Sequence, residues 1–377
     1  MKLILSIDPV RFPLTGIGRY TFELARHLES MSELEDLQYF SGHRFVDELP
    51  DVEGTSGLSS DLRHSLLKNR LTTSLYQHIS PLIKKQALRK HADHLFHGPN
   101  YYLPPFAGTS VCTFHDLSIY KWAHCHPPER VRFMRHEIEL TLKRADMLIT
   151  DTEYTRQEVA AFFNWPLNKI RAVHLACSDD FHPRTQQELA ATLNKYQLNS
   201  GAFSLYVGTI EPRKNLEVLL DAYAMLPLSV RMNWPLVLIG YQGWGNTLTR
   251  IEAAVTEGWV RYLGFVPSAD VPLLFAGARL FLFPSLYEGF GLPLLEAMAS
   301  GTPVVCSNAS TLPEVAGNAA AMCDPKDADE LSRLIAKGLE DETWRNEARL
   351  RGLLRAHSFS WENCAEETLA VYKELRP

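Results

Sequence analysis

The chain has 377 residues, 46% hydrophobic and 22% charged, with a formal net charge of −6. That length and composition suit two soluble globular domains and argue against a nucleic-acid binder along the whole chain. No run nears the roughly 18 apolar residues of a membrane-crossing helix, and six scattered cysteines with no C-x-x-C pair read as reduced core thiols of a cytoplasmic protein.

The opening residues, "MKLILSIDPVRF", carry no small-residue cleavage site and read as a first strand rather than a leader. Next comes "PVRFPLTGIGRYTFELA", with Gly16 and Gly18 but Thr21 where G-x-G-x-x-G needs a third glycine. A dinucleotide fingerprint is therefore not met. A glycine loop that lets a ligand approach the backbone, or a plain tight turn, both remain open. "YTFELARHLESM" is the helix behind that strand.

Residues 61–91 hold seven Lys or Arg and one acid, Asp61, with leucines and isoleucines interleaved. Such a stretch can rest on an anionic membrane surface or be the solvated side of a helix. "DHLFHGP", "TSVCTFHD" and "ADMLITDT" follow as strands, and "EYTRQEVAAFF" as a helix. His115 sits just past one of these strands. A histidine there can bond a sugar hydroxyl, act as acid or base, or be satisfied inside its loop. The groups His91, His94, His97 and His124, Cys125, His126 lack a zinc spacing, so no metal site is expected.

Residues 183–200, "PRTQQELAATLNKYQLNS", are polar and read as a linker. A second alternating series follows: "FSLYVG", "NLEVLLDAYAML", "PLVLIG", "TRIEAAVTE", "VRYLG", "LFLFPS" and "TPVVCS". The expected fold class is α/β, with two doubly wound parallel-sheet domains that would face each other across a cleft. The expected boundaries are 1–182, a linker at 183–200, and 201–359, with an amphipathic tail at 360–377. Ligands of such sheets bind beyond the carboxyl ends of the strands, so the loops after them should carry the chemistry.

Two of these loops stand out. In "SLYEGFGLPLLEAMASGTPVV", residues 285–305, Pro293 suits a first helical turn and Gly301 a stop. The helix N-terminus after Gly289-Phe290-Gly291 makes an anion site, most naturally for phosphate. Glu296, one turn in, would face the same ligand and suits a diol, while Glu288 sits on the loop before it. In "YVGTIEPRKNLEVLL", a strand ends at Gly208 and a helix starts near Asn215. Arg213 and Lys214 between them would neutralise a pyrophosphate, or form a solvated basic turn.

At these residues the sequence resembles a known family, the retaining glycosyltransferases of family four, with the GT-B fold. Glu288-x7-Glu296, "VGTIEPRKN", "TGIGRY", "FHDL", "TDTEYTRQEV" and "FSWENCAEETLAVY" carry the resemblance over nearly the whole chain. It implies that Glu296 binds the ribose of a nucleotide sugar and Glu288 the transferred sugar. Arg213 and Lys214 would hold the pyrophosphate, with backbone N–H groups of Phe290, Gly291 and Leu292 helping. Gly16, Gly18 and Gly208 would lie close to the donor, and His115 would touch the sugar near the reacting carbon. The base would lie near Gly240 and Phe265-Val266. The tail helix would return to the first domain.

No metal and no cofactor are expected, since Arg213, Lys214 and a helix dipole can stabilise the leaving phosphate. Within the family, "IDPVRFPLTGIGRY", "FHDLSIY" and "GTIEPRKN" look most like bacterial surface-polysaccharide mannosyltransferases. That implies α-mannose moved from GDP-mannose to a lipid-linked saccharide acceptor, as in O-antigen synthesis, by a cytoplasmic protein peripheral on the inner membrane face. GDP-rhamnose or a UDP-sugar as donor, or a nucleotide-sugar epimerase of the same fold, are the alternatives.

Overall fold

The computed structural model describes residues 1–50, 70–243 and 247–375, with 70–78 as backbone only. The chain divides into two compact units. The first holds Met1–Tyr120, Pro128–His174 and the C-terminal stretch from Trp361; the second holds Lys121–Pro127 and Leu175–Ser360.

In the first unit, among the described residues, seven strands form one sheet: β1 (Lys2–Ser6), β2 (Asp36–Ser41), β3 (Arg44–Val46), β4 (Leu95–Gly98), β5 (Thr109–Phe114), β6 (Met147–Thr150) and β7 (Ile170–Ala172). Their order is β3-β2-β1-β4-β5-β6-β7, and all neighbours are parallel except β2 and β3. Inner strands such as β1 and β6 read as short, largely apolar runs because helices cover both faces, while β2 (DLQYFS) and β5 (TSVCTF) mix in polar residues. Helix Gly16–Glu29 follows β1 and is capped by the Thr15 side chain, which accepts from the Gly18 N–H. A Cβ on Gly18 would stand 2.9 Å from the Pro9 carbonyl oxygen. The loop's own packing therefore requires that glycine.

Helix Trp361–Leu375 belongs to this unit and packs on helix Gly16–Glu29. Its Tyr372 hydroxyl lies 2.6 Å from His97 Nδ1, and His97 Nε2 lies 2.8 Å from Thr113 Oγ1. Tyr20 closes the chain of bonds at 2.9 Å from the same Thr113 oxygen. Burial holds His97 down to about 3, so it is neutral.

The basic stretch is only partly described; residues 61–69 lie outside the described residues. Helix Arg70–Leu88 carries exposed Ile79, Leu82 and Ile83 in its second half. Lys85, Arg89 and Lys90 are exposed, but Lys84 is turned onto Asp8, 3.3 Å away.

The expected linker holds structure of its own. Helix Gln186–Lys195 opens with a reciprocal Thr185–Glu188 capping box and buries Leu189 and Leu193. Leu193 packs near Gly277, where a Cβ would meet its Cδ2 at 3.1 Å. Residues 183–200 thus belong to the second unit, and the chain passes from one unit to the other between His174 and Leu175.

The second unit has six strands among its described residues: β8 (Ser204–Val207), β9 (Leu236–Ile239), β10 (Val260–Gly264), β11 (Leu280–Phe283), β12 (Val304–Ser307) and β13 (Ala321–Cys323). They are parallel in the order β10-β9-β8-β11-β12-β13. The winding reverses between β8 and β11, and such a reversal opens a crevice at the carboxyl ends of the strands. Gly240 is needed where β8 and β9 end, because a Cβ there would lie 2.0 Å from the Gly208 carbonyl oxygen.

Candidate active site

The loops after β8 and β11 meet at that reversal and bring a charge cluster together. The loop after β8 forms a short 3-10 turn, Pro212–Lys214, and Asn215 then starts helix Leu216–Ala224 in a left-handed conformation. Asn215 fixes the turn by donating to the carbonyls of Pro284 at 3.0 Å and Pro325 at 2.6 Å. The turn points Arg213 and Lys214 at Glu288, on the loop after β11.

Glu288 is 6% exposed, and three donors converge on it. Lys214 Nζ lies 2.6 Å and Ser285 Oγ 2.7 Å from Oε1, and Arg213 Nη1 lies 3.3 Å from Oε2. Arg213 also donates to the Tyr287 carbonyl at 2.7 Å and, through Nη2, to Glu211 Oε1 at 2.7 Å. Burial pushes the Glu288 carboxyl up, but Lys214 and Arg213 beside it overcome this and hold it below its usual range. Lys214 also lies over the Phe283 ring, 5.5 Å from its centroid.

Helix Leu292–Ala299 begins just beyond. Gly291 takes a φ of 95° at its start, a left-handed geometry that suits glycine. Phe290 is buried, with its ring edge-on to Phe359 at 5.9 Å. Glu296 lies half-buried on this helix, among buried Leu294, Leu295, Ala297 and Met298.

At the ends of β9 and β10, Gly240 gives its carbonyl to the Tyr262 hydroxyl at 3.0 Å. Phe265 is exposed and stacks on exposed Tyr241, with centroids 5.1 Å apart and planes 23° apart. The Val266 side chain is buried.

In the first unit, Gly16, Gly18 and His115 all lie beyond the carboxyl ends of strands. His115 is buried and bonded on both ring nitrogens, to Asp151 and to the Pro99 carbonyl.

The second unit therefore joins Arg213, Lys214 and Glu288 directly, with Gly208, Phe290 and Gly291 on the same or neighbouring loops and Leu292 and Glu296 on the helix that follows. Sequence reasoning missed Glu211, Ser285, Tyr241 and Asp151. Glu211 stands inside the "EPRKN" run, two places before Arg213, and that spacing was the one available signal. Among the described residues, no three His, Cys, Asp or Glu side chains are grouped to hold a metal ion. No described helix is long and apolar enough to cross a membrane.

Two doubly wound sheets, with paired cations and a buried glutamate at one switch point, are the frame of a GT-B enzyme, and the family match makes it a glycosyltransferase. Residues 192–352 match the family described as Glycosyl transferases group 1. The chain is 44% identical to O-antigen chain mannosyltransferase B of Escherichia coli, over 100% of both proteins. It belongs to this family. It is also 34% identical to the serotype-specific mannosyltransferase WbdA of Escherichia coli, over 71% of this chain but only 33% of that protein.

Two solved structures share the fold. WaaG, described as a glycosyltransferase involved in lipopolysaccharide biosynthesis, matches with a TM-score of 0.67 at 15% identity, covering 97% of this chain and 98% of that one. Anabaena Alr3699/HepE, in complex with UDP and glucose, matches with a TM-score of 0.71 at 16% identity, covering 99% and 100%. At such identities the likeness concerns fold alone.

Proposed function

We propose that this glycosyltransferase moves mannose, with retention, from GDP-mannose to a lipid-linked saccharide in O-antigen or similar polysaccharide synthesis. The observation that carries this reading is the 44% identity, end to end, to an O-antigen chain mannosyltransferase. The cluster of Arg213, Lys214 and Glu288 supports the chemistry. Cleavage of the sugar–phosphate bond builds negative charge on the leaving diphosphate. Preorganised cations there stabilise the transition state more than the ground state.

The side chains divide that work. An ammonium has three donors, and Glu288 takes one from Lys214, which leaves others to turn toward phosphate. Arg213 is committed to Glu211, the Tyr287 carbonyl and Glu288, so its part is to fix Glu288 and add charge. Glu288 in turn holds Lys214 in place. Its second oxygen has acceptor capacity left for a sugar hydroxyl, because each carboxylate oxygen takes about two bonds. Glu296 takes the ribose diol. Backbone N–H groups of Gly291 and Leu292 serve the phosphate from the helix start. Tyr241 and Phe265 offer a flat apolar face to the base. Gly16, Gly18 and His115 keep the donor contacts that the resemblance gives them.

The membrane reading rests on Lys85, Arg89 and Lys90 beside exposed Ile79, Leu82 and Ile83. Each cation near an anionic surface contributes about 1 kcal/mol. Replacing these three by Gln should release the protein from phosphatidylglycerol vesicles; a wild type that fails to sediment with them removes this part.

The main test is transfer from radiolabelled GDP-mannose, UDP-glucose and UDP-N-acetylglucosamine to membranes that lack the enzyme. Incorporation from GDP-mannose is expected. Incorporation from a UDP-sugar alone overturns the donor.

A further inference from the structure

His115 and Asp151 form a buried pair at the ends of two neighbouring strands. His115 directly follows β5, and Asp151 directly follows β6. His115 Nδ1 lies 2.8 Å from Asp151 Oδ2 and 3.1 Å from Oδ1. On the other side of the ring, Nε2 lies 2.9 Å from the carbonyl oxygen of Pro99, just past β4. One imidazole thus ties three strand ends together. Tyr20 and Tyr101 hold the ring edge-on, with centroids 5.2 Å and 5.8 Å away.

The partners fix the protons. A backbone carbonyl can only accept, so Nε2 carries hydrogen. Nδ1 lies against both oxygens of a carboxylate, and a lone pair there would face lone pairs. A hydrogen therefore lies between Nδ1 and Asp151: it sits on Nδ1 when Asp151 is ionised, and on the carboxyl when Asp151 is protonated. A ring that is already doubly protonated cannot serve as a general base.

We propose that Asp151 is a positioning residue that keeps His115 doubly protonated. The Nε2–H now given to the Pro99 carbonyl then belongs to a cationic ring, and is a stronger donor for an oxygen of the sugar nucleotide than the same N–H of a neutral imidazole. This use rests on the reading of His115 as a contact of the transferred sugar. The hydrogen bond changes partner without proton transfer, and Pro99 regains a free acceptor when it does.

The surroundings agree. Burial lowers the His115 pKa, but Asp151, the Pro99 carbonyl and Asp116 reverse this and leave it raised. Burial likewise pushes Asp151 up against the pull of His115, so the two titrate as a pair. The other titratable groups facing them are His97, Tyr20, Tyr101 and Cys364, with His174 toward Asp151. His97 is held neutral by burial, which also raises Tyr20 and Cys364. Asp151 and Asp116 are thus the carboxylates that hold the charge on His115.

Asp151→Asn isolates the effect. An amide can face Nδ1 as acceptor or as donor, but it no longer stabilises a ring cation. The full chain labelled with 15N-histidine should give two ring N–H signals for His115 at about pH 7.5. His115→Ala assigns them by their loss. In Asp151→Asn one of the two should vanish. In transfer assays, kcat/KM of Asp151→Asn relative to wild type should fall by roughly tenfold or more between pH 5.5 and 9, since each unit of pKa separation gives a factor of ten. A purely structural role would lower the ratio equally at every pH.

A single N–H on His115 in the active wild type overturns the proposal, and so does a ratio that stays flat with pH. If His115→Ala transfers at the wild-type rate, the sugar contact fails while the two-proton signature still stands or falls by itself. Should Asp151→Asn not fold, the wild-type ring signals decide alone.

Discussion

Lys214 and Glu288, 74 positions apart in the chain, meet with Nζ 2.6 Å from Oε1. They meet because β8 and β11 lie side by side, so the loops after them share one crevice. Both side chains are about nine-tenths buried, at 12% and 8% exposure. Arg213 and Glu211 complete the set, and two cations balance two carboxylates before any donor arrives. A buried cluster of this kind tolerates the loss of one member poorly, because the charge left behind stays uncompensated.

Glu288→Gln should therefore destabilise the protein by about 3 kcal/mol at neutral pH. Its pH dependence has a defined sign. The folded-state value of Glu288 lies below its ordinary 4.5. Its contribution is thus complete above about 4.5 and is lost as pH falls through the lower folded value. Urea unfolding of both proteins at several pH values tests this. The gap between them should hold from about pH 8 to 5 and shrink below about 4; a gap that widens on acidification contradicts the pairing.

Glu296→Ala should weaken donor binding roughly ten- to a hundredfold, since a hydrogen bond to a charged group contributes about 1.5–3 kcal/mol. The helix should survive, because its packing runs through Leu294, Leu295, Ala297 and Met298. Calorimetric titration with GDP-mannose reads the affinity, and a melting curve checks the fold. Unchanged affinity in a folded variant removes the ribose role.

Turnover should persist in excess EDTA, because Lys214 and Arg213 supply the positive charge that a metal would otherwise bring. Lys214→Ala should lower kcat by about a hundredfold or more, the usual cost of removing one preorganised electrostatic partner. Loss of activity in EDTA with rescue by Mn²⁺ would assign that charge to a metal.

The sequence made the inner strands legible for a physical reason. β1, β4, β6, β8, β9, β11 and β12 are buried on both faces and read as short, largely apolar runs, and β5 ("TSVCTF") is as buried with small polar residues among its apolar ones. The edges did not announce themselves. β3, β7 and β13 have three residues each, and β2 ("DLQYFS"), although an inner strand between β3 and β1, is half polar. Helix Gln186–Lys195 passed for a linker because it buries so few residues, with Leu189 and Leu193 its only apolar ones larger than alanine. Arg213, Lys214 and Glu288 stood out through their loop positions. Glu211, Ser285 and Asp151 did not, because their importance lies in partners that only the fold brings near.

Tyr241 and Phe265 supply the last prediction. Their rings stack 5.1 Å apart at the ends of β9 and β10, and both are more than half exposed, at 58% and 52%. Two exposed aromatics stacked at the ligand-binding end of a sheet leave a flat outer face open to a base. Stacking of a base on such a ring contributes about 1–3 kcal/mol. Tyr241→Ala should therefore weaken binding by roughly ten- to a hundredfold, and Tyr241→Phe should leave it near wild type. The loss should be equal for GDP and GDP-mannose, because the ring would meet the base and not the sugar. Stability should change little, since the Tyr241 side chain faces solvent. Titration of each variant with GDP and with GDP-mannose measures both effects. A loss confined to GDP-mannose would move Tyr241 from the base to the sugar, and no loss with either ligand would leave the aromatic pair outside the donor site.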